Sequence, residues 1–152
     1  MKLYKYQGAG NDFLIADNRN GYITEKDGVL VYAGPEGDAL EVRISDICDR
    51  RYGIGADGLM LLEKSPDHDF HMTYFNSDGS GGMMCGNGGR CIVAFAADCG
   101  IVNFEFIAAD GPHSAQILSS DEKVKVVRLK MKDVAEYSSY DALTGPAAPS
   151  KG

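Results

Sequence analysis

The chain has 152 residues, of which 44 % are hydrophobic and 24 % are charged, enough for one globular domain with its own core. Its net charge of −7 argues against a nucleic-acid partner, because phosphate binding needs clustered Lys and Arg. No apolar run approaches the ~18 residues of a membrane span and the N-terminus is unlike a signal peptide, so we expect a cytoplasmic protein with no membrane partner.

The first third of the chain predicts two strands and one helix. Strands at 1–7 and 12–17 are joined by a turn at 8–11. Between 18 and 39 the pattern is weak apart from turn signals such as Asp27-Gly28. Apolar residues then recur at helical spacing and predict an amphipathic helix over 39–51: Leu40, Ile44, Ile47 and Cys48.

The remainder predicts further strands around one very apolar helix. Strands are expected at 57–63, 69–76, near 101–108, at 113–119 and at 123–132. The last strand changes phase at Val126-Val127, which indicates a bulge or a strand buried on both faces. From 137 onward the chain is rich in Ser, Ala, Pro and Gly, so we expect a domain over 1–136 and a linker or tail over 137–152.

A glycine-rich stretch precedes the apolar helix. Six of the eleven residues from Gly79 to Gly89 are glycine, and Cys85 lies among them, just before the helix. A cysteine at a helix N-terminus feels the positive end of the helix dipole, which favours the thiolate. Exposed backbone N–H groups there can also hold a carboxylate or a phosphate. The stretch therefore predicts an anion-binding turn that carries an activated thiol.

Cys85 is open to three interpretations from the residues alone. It can be the nucleophile of a hydrolase, for which His71 or His113 would have to supply the base through folding. It can transfer protons. It can also be a small residue that merely caps the helix.

Other motifs point to no cofactor and no metal. The GxGxxG pattern at 53–58 leads into a strand rather than a helix, which is the wrong context for a dinucleotide site. The four cysteines form no CxxC pair and have no histidine at metal-ligand spacing. Three of them lie in apolar surroundings and are expected to be buried structural residues: Cys48, Cys91 and Cys99.

Three motifs together resemble the N-terminal half of the diaminopimelate epimerase family. These are YQGAGNDF at 6–13, RYGIGADG at 51–58, and FNSDGS at 75–80 continued by CGNGGRC at 85–91. The resemblance implies an α+β fold in which a mostly antiparallel β-sheet curls around a central helix, as one half of a two-domain enzyme. It also implies an active site in the cleft between the domains.

The resemblance implies an amino-acid epimerase of lysine biosynthesis that works without pyridoxal phosphate or any other cofactor. In that family two cysteines act on opposite faces of the α-carbon and interconvert LL- and meso-diaminopimelate, so the resemblance implies diaminopimelate as the small-molecule substrate. Cys85 matches the first catalytic cysteine. Gly86 and Asn87 match the turn whose backbone contacts substrate, and Asn11 and Asn76 match side chains that bind its polar ends.

The chain departs from the family pattern in two respects. Gly58 stands where some members have a glutamine that contacts substrate. A second CGxG-type turn is missing, and Cys91 would lie about 9 Å from Cys85 along the helix axis, too far to serve the opposite face of one carbon. We therefore expect the second cysteine to come from a second domain of the same enzyme.

Alternatives remain at this stage. The chain can be a non-catalytic substrate-binding or partner module, or belong to the proline racemases or phenazine-type isomerases of the same fold. A homodimer is allowed as well, because the apolar cleft face of an isolated half would be exposed.

Overall fold

The computed structural model describes residues 1–37, 39–83, 85–121 and 124–130. The tail predicted from 137, and the end of the preceding domain from 131, lie outside these ranges. The described residues form the following elements in chain order: β1 (Tyr4–Gly8), β2 (Asn11–Asp17), β3 (Ile23–Lys26), β4 (Val29–Ala33), β5 (Ala39–Arg43), α1 (Ile44–Ile47), β6 (Gly58–Glu63), β7 (Phe70–Asn76), α2 (Gly86–Asp98), β8 (Phe104–Ala108), β9 (Gly111–Ser120) and β10 (Lys125–Lys130).

Seven strands form one sheet in the order β1-β2-β6-β7-β8-β9-β10, and β3-β4-β5 form a second, smaller sheet. In the large sheet β2 pairs with β6 and β7 with β8 in parallel, while the other neighbours are antiparallel. The expected α+β fold with a mostly antiparallel sheet is therefore confirmed.

The large sheet curls around α2. This helix packs against β1 and β10, which are the two edges of the sheet, as well as against the central strands. Ile92, Val93, Phe95 and Ala96 of α2 are at most 2 % exposed. Burying each of the larger of these side chains contributes roughly 1.5–3 kcal/mol, so the helix is held by packing rather than by its glycine-rich first turn.

Strand β2 is buried on both faces and separates two cores. Phe13 and Ile15 point into the core around α2. Leu14 and Ala16 point the other way, into a core shared with α1 and the small sheet. The molecule is thus layered, with α2 on one side of the central strands and the small sheet with α1 on the other.

The predicted helix over 39–51 is wrong. Residues Ala39–Arg43 form β5, which pairs with β4, and only the short α1 follows. Ile44 and Cys48 are buried as expected, but Leu40 is 47 % exposed. The sequence had not revealed the hairpin β3–β4, which turns at Asp27-Gly28, both with positive φ. Because β5 pairs with β4 of this hairpin, residues 39–43 form a strand in spite of their helical spacing.

The other predicted elements are confirmed within a few residues. The pairing of β10 with β9 shifts register between Val126 and Val127, but the residue left without a partner is Leu118 of β9, and β10 itself keeps a regular alternation of half-buried and exposed side chains. Val102 precedes β8 and is 80 % exposed. Within the described ranges, neither helix has the length and apolar character needed to cross a membrane.

Candidate functional site

The candidate site lies at one end of the large sheet, where β2 and β6 begin, β7 ends and α2 starts. The register shows this directly, because Gly58 of β6 is paired with Phe13 of β2 on one side and with Asn76 of β7 on the other. Residues from all three motifs identified in the sequence therefore lie at this end of the sheet.

Cys85 is the N-cap residue of α2 and its side chain is exposed. Its backbone is extended, and its Sγ accepts a hydrogen bond from the N–H of Gly88 at 3.4 Å. The first backbone bond of the helix runs from Gly89 N–H to the Cys85 carbonyl at 2.8 Å, so the N–H groups of Gly86 and Asn87 precede it. The sulfur thus stands at the positive end of a buried helix, where negative charge is stabilised.

Gly88, which has no side chain, lies between the Cys85 sulfur and side chains of β2 and β6. A Cβ at this position would lie 3.5 Å from Cys85 Sγ, 3.6 Å from Met60 Sδ and 3.7 Å from Phe13 Cζ. The first turn of α2 therefore lies directly on the starts of β2 and β6. Close packing of this kind fixes where the sulfur stands relative to the sheet.

The other three cysteines differ from Cys85 in exposure. Cys48 and Cys91 are buried, as expected, whereas Cys99 is only half-buried. Burial raises the pKa of the Cys48 and Cys99 thiols, and it raises the pKa of Cys91 to about 11. Among the four thiols, Cys85 is the most exposed.

Asn11 and Asn87 are joined in a row of hydrogen bonds that we call the amide relay, made of Asp57, Asn11, Asn87 and Arg90. Asn11 Nδ2 donates to Asp57 Oδ2 at 3.1 Å. Asn87 Nδ2 donates to Asn11 Oδ1 at 2.7 Å, and Arg90 Nη2 donates to Asn87 Oδ1. The structure thus brings two of the predicted residues into direct contact although they are 76 positions apart.

Asn76 lies at the same end of the sheet, where its amide holds the following turn. Its Nδ2 donates to Ser80 Oγ at 3.1 Å and its backbone N–H to the Ser80 carbonyl at 2.8 Å. Ser80 is fixed in turn by Asp78, whose Oδ1 accepts from the Ser80 hydroxyl at 2.6 Å. The turn between β7 and the glycine-rich stretch is therefore ordered around Asn76.

Tyr74 was not predicted and explains why position 58 is glycine. A Cβ on Gly58 would lie 2.6 Å from the Tyr74 ring and from its hydroxyl oxygen, and one on Gly82 would lie 2.6 Å from the same ring. Burial raises the pKa of Tyr74, and its electrostatic interactions with the nearby Cys85 and Asp57 raise it further. No single-residue pattern signals this packing, because Gly58 ends the second motif whereas Gly82 lies in the glycine-rich stretch.

The charged partners of the relay were also missed. Arg50 donates to both carboxylate oxygens of Asp12, at 3.1 and 2.7 Å, and to Asp57 Oδ1 at 2.9 Å. These hydrogen bonds hold the pKa of Asp12 well below its usual range. The signal available in the sequence was the presence of an aspartate in each of the first two motifs.

Neither histidine named as a possible hydrolase base is bonded to the candidate thiol. His71 Nδ1 lies 3.4 Å from Glu63 Oε1. His113 is buried and its Nε2 lies 2.7 Å from Asp110 Oδ1. Among the described residues the hydrogen bond at Cys85 Sγ comes from Gly88 N–H, and no group of three or more His, Cys, Asp or Glu side chains there is arranged to hold a metal ion.

Comparison with known sequences gives one family. The model of the family described as diaminopimelate epimerase matches residues 3–134. The diaminopimelate epimerase of Flavobacterium psychrophilum is 47 % identical over 143 residues, which cover 93 % of this chain and 49 % of that protein. The corresponding protein of Chlorobaculum tepidum is 40 % identical, over 83 % of this chain and 45 % of its own length. The chain thus spans about half the length of the curated relatives it matches.

Comparison with solved structures agrees on the fold. A Bacillus anthracis phenazine biosynthesis protein of the PhzF family superposes with a TM-score of 0.56 at 17 % identity, over 85 % of this chain and 40 % of that chain. Methylitaconate-delta-isomerase superposes with a TM-score of 0.52 at 15 % identity, over 80 % of this chain and 60 % of that chain. At such identities these similarities bear on the fold alone.

Proposed function

Because the chain belongs to the diaminopimelate epimerase family, we propose that it supplies one half of the active site of an epimerase that interconverts LL- and meso-diaminopimelate without a cofactor. The chain spans about half of its curated relatives. The activity is accordingly assigned to an assembly that contains a second unit, with residues 1–136 as the first domain and 137–152 as the connection. The expected location is the cytoplasm, where lysine biosynthesis takes place.

Inversion of an α-carbon defines what the two halves must provide. The C–H bond breaks on one face as a sulfur accepts the proton, and a new C–H bond forms on the opposite face as a second thiol gives up its proton. One sulfur cannot reach both faces of the same carbon. Cys85 is proposed as one of the two proton-transfer groups, and the other belongs to the second unit.

The observation that carries this proposal is the position of Cys85. It is the exposed thiol, it caps a buried helix, and its sulfur already accepts an N–H hydrogen bond from Gly88 at 3.4 Å. The helix N-terminus and the Gly88 N–H place hydrogen-bond donors beside the sulfur, and its exposure leaves it open to a substrate. A cysteine whose only role was to cap the helix would not need an exposed side chain.

The surrounding groups suit an amino-acid substrate. The N–H groups of Gly86 and Asn87 precede the first intrahelical bond and can donate to a carboxylate, whose negative charge grows as the α-proton leaves. Asn11 and Asn76 lie at the same end of the sheet and are proposed to bind the polar ends of diaminopimelate. Gly58 offers no side chain for this purpose, since the Tyr74 ring occupies the space.

Exposed apolar side chains on the loops of this end support a covering second unit. Tyr52 and Ile54, on the loop that leads into β6, are 84 % and 55 % exposed, and Met83, shortly before Cys85, is 63 % exposed. Large apolar groups that flank a polar site are typical of surfaces that meet another unit. We propose that the second domain of the same enzyme covers them and closes the cleft.

The proposal is tested with a chimera in which this chain replaces the matching half of the Flavobacterium psychrophilum relative. We expect epimerisation of diaminopimelate, and a loss of 10²-fold or more in Cys85→Ser, because a serine hydroxyl gives up its proton far less readily than a thiol. Cys99→Ser is the matched control and is expected to keep most of the activity. If the Cys85→Ser chimera keeps more than about a tenth of the rate, a proton-transfer role is refuted. Diaminopimelate binding without turnover in the unsubstituted chimera would favour the non-catalytic module.

A further inference from the structure

The GxGxxG stretch at 53–58 leads into β6 and contributes a side chain to the candidate site. Its Asp57 is one end of the amide relay, and Arg90 of α2 is the other. We infer that Asp57 and Arg90 are positioning residues, which fix the orientation of the Asn11 and Asn87 amides from the two ends of the relay. The effect on diaminopimelate rests on the proposed function, whereas the orientation of the amides does not.

The direction of every bond in the relay follows from the chemistry of its ends. A carboxylate only accepts hydrogen bonds and a guanidinium only donates them. Asp57 therefore requires the nitrogen of Asn11, so the Asn11 oxygen faces Asn87. Arg90 requires the oxygen of Asn87, so the Asn87 nitrogen faces Asn11. Turning either amide over would place two donors or two acceptors against each other.

Asp57 is itself held in place on both of its oxygens. Its Oδ1 accepts from Arg50 Nη2 at 2.9 Å and its Oδ2 accepts from the backbone N–H of Asp12 at 3.0 Å. Arg50 is anchored by its two bonds to Asp12. The Asp57 backbone N–H also donates to the Asp12 carbonyl at 2.9 Å. These hydrogen bonds join the first two sequence motifs, and the amide relay continues the hydrogen-bonded network to the start of α2.

The fixed orientation of the Asn11 and Asn87 amides determines which of their hydrogen-bonding groups are available to a ligand. Each asparagine nitrogen has two hydrogens, and the hydrogen bonds among the described residues use one on Asn11 and one on Asn87. The second N–H of each amide is available beside the N-terminus of α2. Two such donors suit an anionic oxygen such as a substrate carboxylate, and ordering them before binding lowers the entropy that binding would otherwise cost.

The orientation is tested by NMR of the side-chain amide groups in the 152-residue chain. In Asp57→Ala we expect the Asn87 signals to move although Asp57 does not contact Asn87. In Arg90→Met we expect the Asn11 signals to move, and Arg90→Lys, which keeps a pure donor, is expected to restore them in large part. Asp17→Ala is the matched control, since Asp17 has an arginine partner of its own, Arg19, at the other end of β2.

The inference is overturned if each substitution moves only the amide that it contacts. If Asp57→Ala does not fold, Arg90→Met decides, because a methionine on the helix keeps good helix propensity.

The effect on the reaction is measured separately in the chimera. Asp57→Ala is expected to raise KM for diaminopimelate by about tenfold with a smaller change in kcat. Its effect should be non-additive with that of Asn11→Ala, because it acts through that amide. Additive effects or an unchanged KM would refute the positioning role. An inactive unsubstituted chimera would instead refute the proposed function and leave the NMR result standing.

Discussion

Gly58→Ala is expected to destabilise the chain even though alanine normally favours regular structure over glycine. The new Cβ would lie 2.6 Å from a ring carbon and the hydroxyl oxygen of Tyr74, and 2.8 Å from the Phe75 carbonyl oxygen. The ring cannot simply move away, because it lies against Gly82 on another side. The carbonyl oxygen belongs to the backbone of β7 and gives way less readily than a side chain.

The magnitude follows from two opposing terms. Overpacking of this kind costs about 1–3 kcal/mol, and replacing a glycine in a strand returns roughly 0.5–1 kcal/mol. Because a backbone atom is involved, we place the overpacking cost near the upper end of its range, at about 3 kcal/mol. Subtracting the return of about 1 kcal/mol leaves an expected net loss of about 2 kcal/mol. For a chain of this size the melting temperature should fall by roughly 4–8 °C.

Urea denaturation followed by circular dichroism measures this loss. Gly88→Ala is the matched control: its Cβ would meet neighbours at 3.5–3.7 Å, which is ordinary contact, and it should stabilise α2 by up to about 1 kcal/mol. Tyr74→Leu in the Gly58→Ala background should restore part of the stability, but not all, since the Phe75 carbonyl remains. A Gly58→Ala chain as stable as the wild type would refute the packing argument.

Two further predictions concern titratable groups. Limited alkylation at neutral pH followed by peptide mapping should label Cys85 first, because the other thiols are less exposed and burial raises their pKa; earlier labelling of Cys48 or Cys99 would contradict this. The pKa of Asp12 is lowered in the folded chain, chiefly by its hydrogen bonds to Arg50, so its contribution to stability is present above about pH 4 and is lost as the pH falls. Between about pH 5 and pH 2, the free energy of unfolding of the Arg50→Met chain should therefore fall by less than that of the wild type. Equal falls would show that the Arg50–Asp12 pair does not contribute to the pH dependence of stability.

Elements with strong local signals were predictable from the sequence. Alternation in 69–76 identified β7, and the continuous apolar run after Cys85 identified α2. The phase change at Val126-Val127 coincides with a register shift, but the unmatched residue is on β9 rather than on the last strand. The small sheet was not found, because its strands are short and each depends on its neighbour. Leu40 shows the consequence, since it fell on a helical pattern but lies exposed on β5.

The candidate site was predictable as a set of residues but not as a network. The motif resemblance identified Asn11 and Asn87, and the fold places Asn87 Nδ2 2.7 Å from Asn11 Oδ1. Asp57, Arg90 and Tyr74 were missed because their importance comes from contacts across motifs. Spacing along one chain cannot show that a carboxylate 46 positions from Asn11 accepts its hydrogen bond.

The central claim is that this chain holds one of the two proton-transfer groups of an epimerase. Exchange of the α-hydrogen of diaminopimelate with solvent deuterium, followed together with inversion, tests it most directly when the 152-residue chain and the chimera are compared. We expect both exchange and inversion in the chimera and no inversion by the folded chain alone, because acid and base must stand on opposite faces of the carbon. Inversion by the chain alone at the rate of the chimera would place both groups within these residues and contradict the account.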